Sequence, residues 1–192
     1  MKYLIALSLA AACALPAGAA LPVGHAAPDL QLPASLAGKT FAFSLKQALK
    51  TGPVVVYFYP AAFTGGCSMQ AHAFAVNQDQ FKAAGATVVG VSLDSIERLN
   101  AFSSDPASCG GKVPVASDVD GKAAQAYDVA VRNAPIGKKN QRGEALDHGL
   151  AERQTFVVGR DGKVAATIGG LAPEANVAKA LELVRQLAAA KS

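Results

Sequence analysis

The sequence predicts an α/β fold, a central mixed β-sheet flanked by helices on both faces, and three observations predict it. Residues 53–59 (PVVVYFY) and 86–92 (ATVVGVS) are short runs rich in β-branched and aromatic residues, the pattern of strands buried on both faces. Each of these runs is followed by a stretch with helical periodicity. Asp161-Gly162 separates two further apolar runs, 154–159 and 164–169, and Asp-Gly in that setting signals a β-hairpin.

Taken in order, residues 40–44 are a candidate strand and 44–49 a short helical turn. The buried strand at 53–59 comes next. A helix is expected from Cys67 to about residue 84, because Ala71, Phe74, Phe81 and Ala84 recur near the helical period. The strand at 86–92 leads to a helix around 96–102, a short strand at 113–116 and a helical segment at 122–127. Beyond the hairpin, 173–190 has an amphipathic helical pattern, with Pro173 suited to its first turn. Only 132–151, polar and glycine-containing, resists assignment and is expected to be a loop or an extra hairpin. The order β, α, β, α, β, α, β-hairpin, α requires one sheet with helices on either side. A thioredoxin-like architecture accommodates it.

The N-terminus carries a separate message. Met1-Lys2 supplies a positive charge, and 3–15 is an apolar run shorter than the roughly 20 residues that span a bilayer. Small residues then permit cleavage after Ala19 or Ala20, completing the three-part pattern of a signal peptide. Residues 1–20 are therefore expected to be removed, leaving 21–192 as one domain of natural size. A retained anchor conflicts with the length of the run. Acylation at Cys13 conflicts with Ala10, where a bulky aliphatic is usual. The expected location is the periplasm, with secretion as the second choice.

Hydrophobic residues make up 51% and charged residues 17% of the chain, enough to bury a sizeable core. The formal charge of +4 is spread among mixed signs without a basic stripe, so no nucleic-acid partner is expected. No membrane partner is expected once the signal has gone. His25, His72 and His148 lack metal-ligand spacing, and His72 has the character of a polar residue on a helix face. Gly38-Lys39-Thr40 echoes a phosphate-binding loop, but Pro33 stands where its first glycine belongs. Arg132, Lys138, Lys139 and Arg142 fit a solvated loop. The absence of Cys-x-x-Cys counts against a disulfide oxidoreductase. Of three cysteines, Cys13 leaves with the signal. Cys67 and Cys109 remain in a compartment where disulfides persist, paired either permanently or within a reaction cycle.

Cys67 stands at the junction of the strand at 53–59 and the following helix. Ligand sites of open α/β sheets gather at such strand ends. A cysteine in the first turn of a helix faces orphan N–H groups and the positive end of the macrodipole, both of which favour the nucleophilic thiolate. Gly65 and Gly66 allow close backbone approach, and Thr64 offers a hydroxyl three residues away.

Pro60, Thr64 and Cys67 reproduce a Pro-x-x-x-Thr-x-x-Cys pattern, and the chain here resembles the peroxiredoxins. The likeness runs nearly from end to end after the signal. Residues 23–29 (VGHAAPD) resemble that family's opening, and 152–158 (ERQTFVV) the strand that carries its arginine. The subgroup it looks most like is the bacterioferritin-comigratory or Q-type. The resemblance implies a thiol peroxidase in which Cys67 attacks the peroxide and becomes a sulfenic acid. Arg153 would stabilise the thiolate and help bind the peroxide, Thr64 would hydrogen-bond the thiolate and substrate oxygens, and Pro60 would shield the pocket from water. The N–H groups around Gly66 and Cys67 would stabilise the polarised peroxide. No metal or organic cofactor is required, and the partners implied are a hydroperoxide and a thioredoxin-like or small-thiol reductant. The oligomeric expectation is a monomer or weak dimer.

Many Q-type members carry a resolving cysteine five residues after the nucleophile, where this chain has His72. Cys109 lies just after the third helix, a region in which some relatives hold the resolving thiol, and its Gly-rich flank would permit rearrangement. The resemblance thus implies a Cys67–Cys109 disulfide formed by condensation of the sulfenic acid. Two alternatives stay open for Cys109: an inert thiol in a one-cysteine peroxidase reduced externally, or a permanent disulfide that would abolish activity. From another class, a non-catalytic thioredoxin-fold binding or chaperone-like module would consume no peroxide.

Overall fold

The computed structural model describes residues 20–190, so the expected signal peptide, Ala20 apart, lies outside the described residues, as does Cys13. The predicted architecture is present: seven strands form one mixed sheet in the order β2 (Lys39–Ser44), β1 (Gln31–Leu36), β5 (Val115–Ser117), β4 (Thr87–Ser92), β3 (Val54–Phe58), β8 (Gln154–Val158), β9 (Val164–Gly169). The central strands β3 (Val54–Phe58), β4 (Thr87–Ser92) and β5 (Val115–Ser117) run parallel. Antiparallel strands flank them: β8 (Gln154–Val158) and β9 (Val164–Gly169) on one side, β1 (Gln31–Leu36) and β2 (Lys39–Ser44) on the other. Alternation along β3 divides its side chains between two cores, as the strand period requires. Val55 and Tyr57 face a cluster built with the helices α2 (Gly65–Val76), α3 (Gln78–Ala83), α4 (Ile96–Ser104) and α6 (Pro173–Ala189). Val54, Val56 and Phe58 face the opposite cluster, completed by Leu45 of α1 (Leu45–Ala48) and by Ala123 and Ala124 of α5 (Lys122–Ala126).

Several boundaries differ from the sequence expectation. The single helix over 67–84 is two, α2 and α3, and α2 begins at Gly65. Asn77 divides them by donating its Nδ2 to the Ala73 carbonyl at 2.9 Å while its Oδ1 accepts from Gln80, a local bonding that competes with the helical ladder. The strand expected at 113–116 lies at Val115–Ser117. Strand β1 contains Pro33, a residue that ordinarily argues against a strand interior. It is tolerated because the ladder to β5 involves only Ala34 and Ser35. Ala37 and Gly38, both with positive φ, form the two-residue turn to β2, which accounts for the phosphate-loop echo. Within the unassigned 132–151 segment, β6 (Val131–Arg132) and β7 (Leu150–Ala151) pair as a small antiparallel ladder at its base.

The topology brings three chain segments to one end of the sheet. The carboxyl ends of β3 and β4 lie side by side, and antiparallel β8 starts there, with Gln154 opposite Phe58. Cys67, Asp94 and Arg153 each follow or precede one of these strand ends.

Candidate active site

Beyond β3 the chain turns through 59–64 into α2. Phe63 occupies the left-handed region at φ 59°, a conformation costing an L-residue roughly 1–2 kcal/mol. Thr64 is the extended N-cap residue, and its carbonyl accepts from the N–H groups of both Cys67 and Ser68 at 2.9 Å. The N–H groups of Gly65 and Gly66 precede these bonds and have no acceptor among the described residues, so the positive end of α2 is open beside Cys67. Cys67 itself is 2% exposed.

Arg153 reaches this helix start from the edge of β8. Its Nη2 lies 3.5 Å from Cys67 Sγ, and its Nη1 donates to Gln70 Oε1. Gln70 is in turn held by α6: its Nε2 donates to Asn176 Oδ1 at 3.1 Å, and the same oxygen accepts from Thr155 Oγ1 at 2.7 Å. Asn176 Nδ2 donates to the Ile168 carbonyl at 3.4 Å. Gln70, Thr155 and Asn176 are fully buried, so every member of this chain needs its partners. Among the described residues no carboxylate pairs with Arg153. Its charge is therefore available to Cys67 and to an oxygen bound beside it. Gly66 makes the approach feasible, since a Cβ there would stand 3.3 Å from Arg153 Nη2 and 3.6 Å from Pro173 Cγ.

The other expected residues occupy the same turn. Pro60 is half-buried directly after buried Tyr59. Thr64 Oγ1 donates to the Ala61 carbonyl at 2.9 Å, which leaves its lone pairs as acceptors. Tyr57 stacks on Phe74, with centroids 4.4 Å apart, and its buried hydroxyl has no partner among the described residues. Burial, followed by the neighbouring Cys109 and Cys67 sulfurs, holds that phenol well above its ordinary range.

Cys109 is fully buried in the same apolar cluster as Cys67, and both thiols are free. It sits in the turn after α4, where the Asp105 carbonyl accepts from Ser108 N at 3.0 Å and Gly110 N at 2.9 Å. Gly110 and Gly111 both take positive φ, which the turn needs and glycine supplies without strain. The two cysteine-bearing segments touch through their neighbours, Ser108 Oγ lying 3.4 Å from Ser68 Oγ. Burial first, and Asp105 second, push the Cys109 thiol far up. His72 is exposed on α2, away from this cluster.

No sequence motif marks Gln70, Asn176 or Thr155. Two of them left a signal. Gln70 interrupts the apolar face formed with Cys67, Ala71 and Phe74, and Asn176 interrupts that of Val177, Ala180, Leu181 and Val184. Thr155 left none, because threonine is ordinary in strands. No helix among the described residues is long and apolar enough to cross a membrane.

Known proteins resemble this chain in sequence and in fold. Residues 23–167 match the AhpC/TSA family. A peroxiredoxin of Mycobacterium tuberculosis is 36% identical over 126 residues, covering 66% of this chain and 73% of the relative. Among solved structures, peroxidoxin BcpB from M. tuberculosis superposes with a TM-score of 0.72 at 29% identity, over 86% of this chain and 97% of that one. The bacterioferritin comigratory protein of Xanthomonas campestris, studied for alkyl peroxide reduction, superposes with a TM-score of 0.63 at 27% identity, over 82% and 92% of the two chains.

Proposed function

The chain belongs to the AhpC/TSA family, and on that footing we propose that Cys67 reduces hydroperoxides and Cys109 resolves the resulting sulfenic acid. Membership makes the chain a thiol peroxidase of the peroxiredoxin kind, an oxidoreductase acting on a peroxide with electrons from thiols. The observation that carries the assignment to Cys67 is Arg153 Nη2, 3.5 Å from Cys67 Sγ and without a carboxylate partner among the described residues, at the open start of α2.

In the first step the Cys67 thiolate attacks the terminal peroxide oxygen. An S–O bond forms, the O–O bond breaks, and the departing oxygen takes a proton to leave as water or an alcohol. Arg153 and the Gly65 and Gly66 N–H groups face the charge that moves onto that oxygen. In the second step the Cys109 thiol attacks the sulfenic sulfur; an S–S bond forms, the S–O bond breaks, and water carries away the thiol proton. Two electrons and two protons from an external thioredoxin-like donor or small thiol then restore both cysteines. The X. campestris relative's association with alkyl peroxide reduction supports including organic hydroperoxides with hydrogen peroxide. The N-terminal pattern supports action in the periplasm, with secretion second. The working assembly is a monomer or weak dimer.

The closed, hydrogen-bonded turn around Cys109 favours a second reading, a one-cysteine peroxidase regenerated directly by an external thiol. One experiment addresses both. The mature protein is treated with one equivalent of hydrogen peroxide and its cysteines are mapped by mass spectrometry beside a Cys67→Ser variant. Peroxide consumption lost in the variant and a Cys67–Cys109 disulfide in the wild type are expected. Unchanged consumption by Cys67→Ser overturns the peroxidase assignment. A persistent sulfenic acid at Cys67 beside a free Cys109 overturns only the resolving role.

A further inference from the structure

The segment left unassigned in the sequence, 132–151, is a strap across the turn that delivers Cys67. Its base is the β6–β7 ladder, and its tip is a hairpin-like loop closed by Leu146 N donating to Lys138 O at 2.9 Å. From that tip Gln141 N donates to the Phe63 carbonyl at 2.8 Å, and the Arg142 guanidinium lies 4.4 Å from the Phe63 ring centroid. Phe63 is the residue with a positive φ, so the strap grips the turn at its strained point. On its other side the turn is tied to the end of β4. Ala62 N donates to Asp94 Oδ2 at 2.7 Å, and Asp94 is fully buried.

Asp94 and the strap are joined by two side chains, Arg98 and His148. Arg98 Nη1 donates to Asp94 Oδ1 at 3.1 Å, and its Nη2 donates to the Ala145 carbonyl at 3.1 Å. His148 Nε2 lies 2.9 Å from the same Asp94 oxygen, and His148 Nδ1 lies 2.8 Å from the Gly149 carbonyl. Both ring nitrogens therefore face atoms that can only accept. A neutral imidazole has one N–H, so both contacts are hydrogen bonds only in the imidazolium.

We propose that His148 is a positioning residue for the peroxide step, which as an imidazolium fastens the strap to Asp94 and so holds the Ala62–Phe63 turn in the form that presents Cys67. The inference rests on the peroxidase reading. The groups facing the ring are Asp94 and Arg98 from the β4–α4 junction, with Glu144 and Asp147 of the strap paired to Arg98, and Tyr59 of the turn near Asp94. Burial opposes the charge on His148, but the bonds to Asp94 and Gly149 outweigh it and raise its pKa above the ordinary 6.5. Asp94 is likewise opposed by burial, and its bonds to His148 and Ala62 hold its carboxyl below the usual value. The tie is thus complete below the ordinary histidine value and is lost as pH rises through the raised one.

The test compares second-order rate constants for hydrogen peroxide in wild type and His148→Gln from about pH 5.5 to about pH 9, bracketing the histidine range. Taking the ratio at each pH cancels the ionisation of Cys67. The wild type is expected to be roughly tenfold faster at the acid end, within the ~100-fold that a misplacement of about 1 Å can cost, with the advantage vanishing at the alkaline end. In parallel, NMR of the unmodified protein follows the His148 ring nitrogens and the Ala62 and Gln141 amides. All three should titrate with one midpoint above 6.5, a readout that survives if the variant does not fold. A ratio that is flat in pH overturns the proposal, as do amides that ignore the imidazole. Peroxide inertness of the wild type would instead overturn the peroxidase reading, while the NMR titration would still report on the tie.

Discussion

Cys67 and Cys109 offer a controlled contrast within one molecule. Both sulfurs are free, both are buried, and both belong to one apolar cluster. Cys67 sits at the open start of a twelve-residue helix with a guanidinium at 3.5 Å. Cys109 sits in a closed turn whose nearest influential charge is the Asp105 carboxylate, which adds to burial in disfavouring a thiolate. Burial alone therefore does not set the chemistry of a cysteine here. On the proposed reading, reactivity follows from the fixed charges and dipoles aimed at the sulfur.

Removing the charge that separates the two sites is the severest test. Arg153→Leu should lower the rate constant for peroxide by about 10²–10³, the usual cost of one transition-state donor, and make Cys67 as slow to alkylate as Cys109. Stopped-flow kinetics and competitive alkylation with mass-spectrometric readout would check both halves. Disturbing the support beneath Arg153 comes next. Asn176→Leu orphans the donors of Gln70 and Thr155 and the Ile168 carbonyl, so a loss of about 3 kcal/mol is expected in denaturant unfolding.

A gentler change would make the Cys67 site resemble that of Cys109. Gln70→Glu places a carboxylate against Arg153, much as Asp105 stands by Cys109, and competes for the charge now open to the sulfur. A roughly tenfold slower reaction with peroxide is expected, together with a loss of stability in denaturant unfolding, because the glutamate lacks the N–H that Gln70 donates to Asn176 Oδ1. The smallest effect concerns Cys109 itself. Its folded pKa is raised, so the neutral thiol stabilises the fold below the unfolded value of about 8.5 and that contribution is lost as pH rises above it. Wild-type stability should fall relative to Cys109→Ala by up to about 1.4 kcal/mol per pH unit in that range, as measured by chemical denaturation.

Local pattern made much of this legible. The buried runs at β3 and β4, the Asp161-Gly162 hairpin and the terminal helix each announce themselves within a few residues, because strand period, turn chemistry and helix period are local properties. Cys67 and Thr64 are visible locally, at a strand-to-helix junction, whereas Pro60 is marked only by the resemblance to the peroxiredoxins. The break at Asn77 and the strand at β1 were harder, since one side chain's back-bond and a short ladder decided them.

Local pattern marks the candidate residues: a cysteine at a strand-to-helix junction and a second cysteine in a glycine-bounded turn, with the resemblance adding an arginine at the start of a late strand. Their surroundings come from long-range packing. Register between β3 and β8 sets Arg153 beside Cys67 across 86 positions of sequence. Packing of α6 on α2 gives Gln70 its Asn176 partner across 106. The strap reaches Phe63 from residues 141 and 142. Each contact joins segments whose separation is set by sheet order and helix packing, which no periodicity within a single segment encodes.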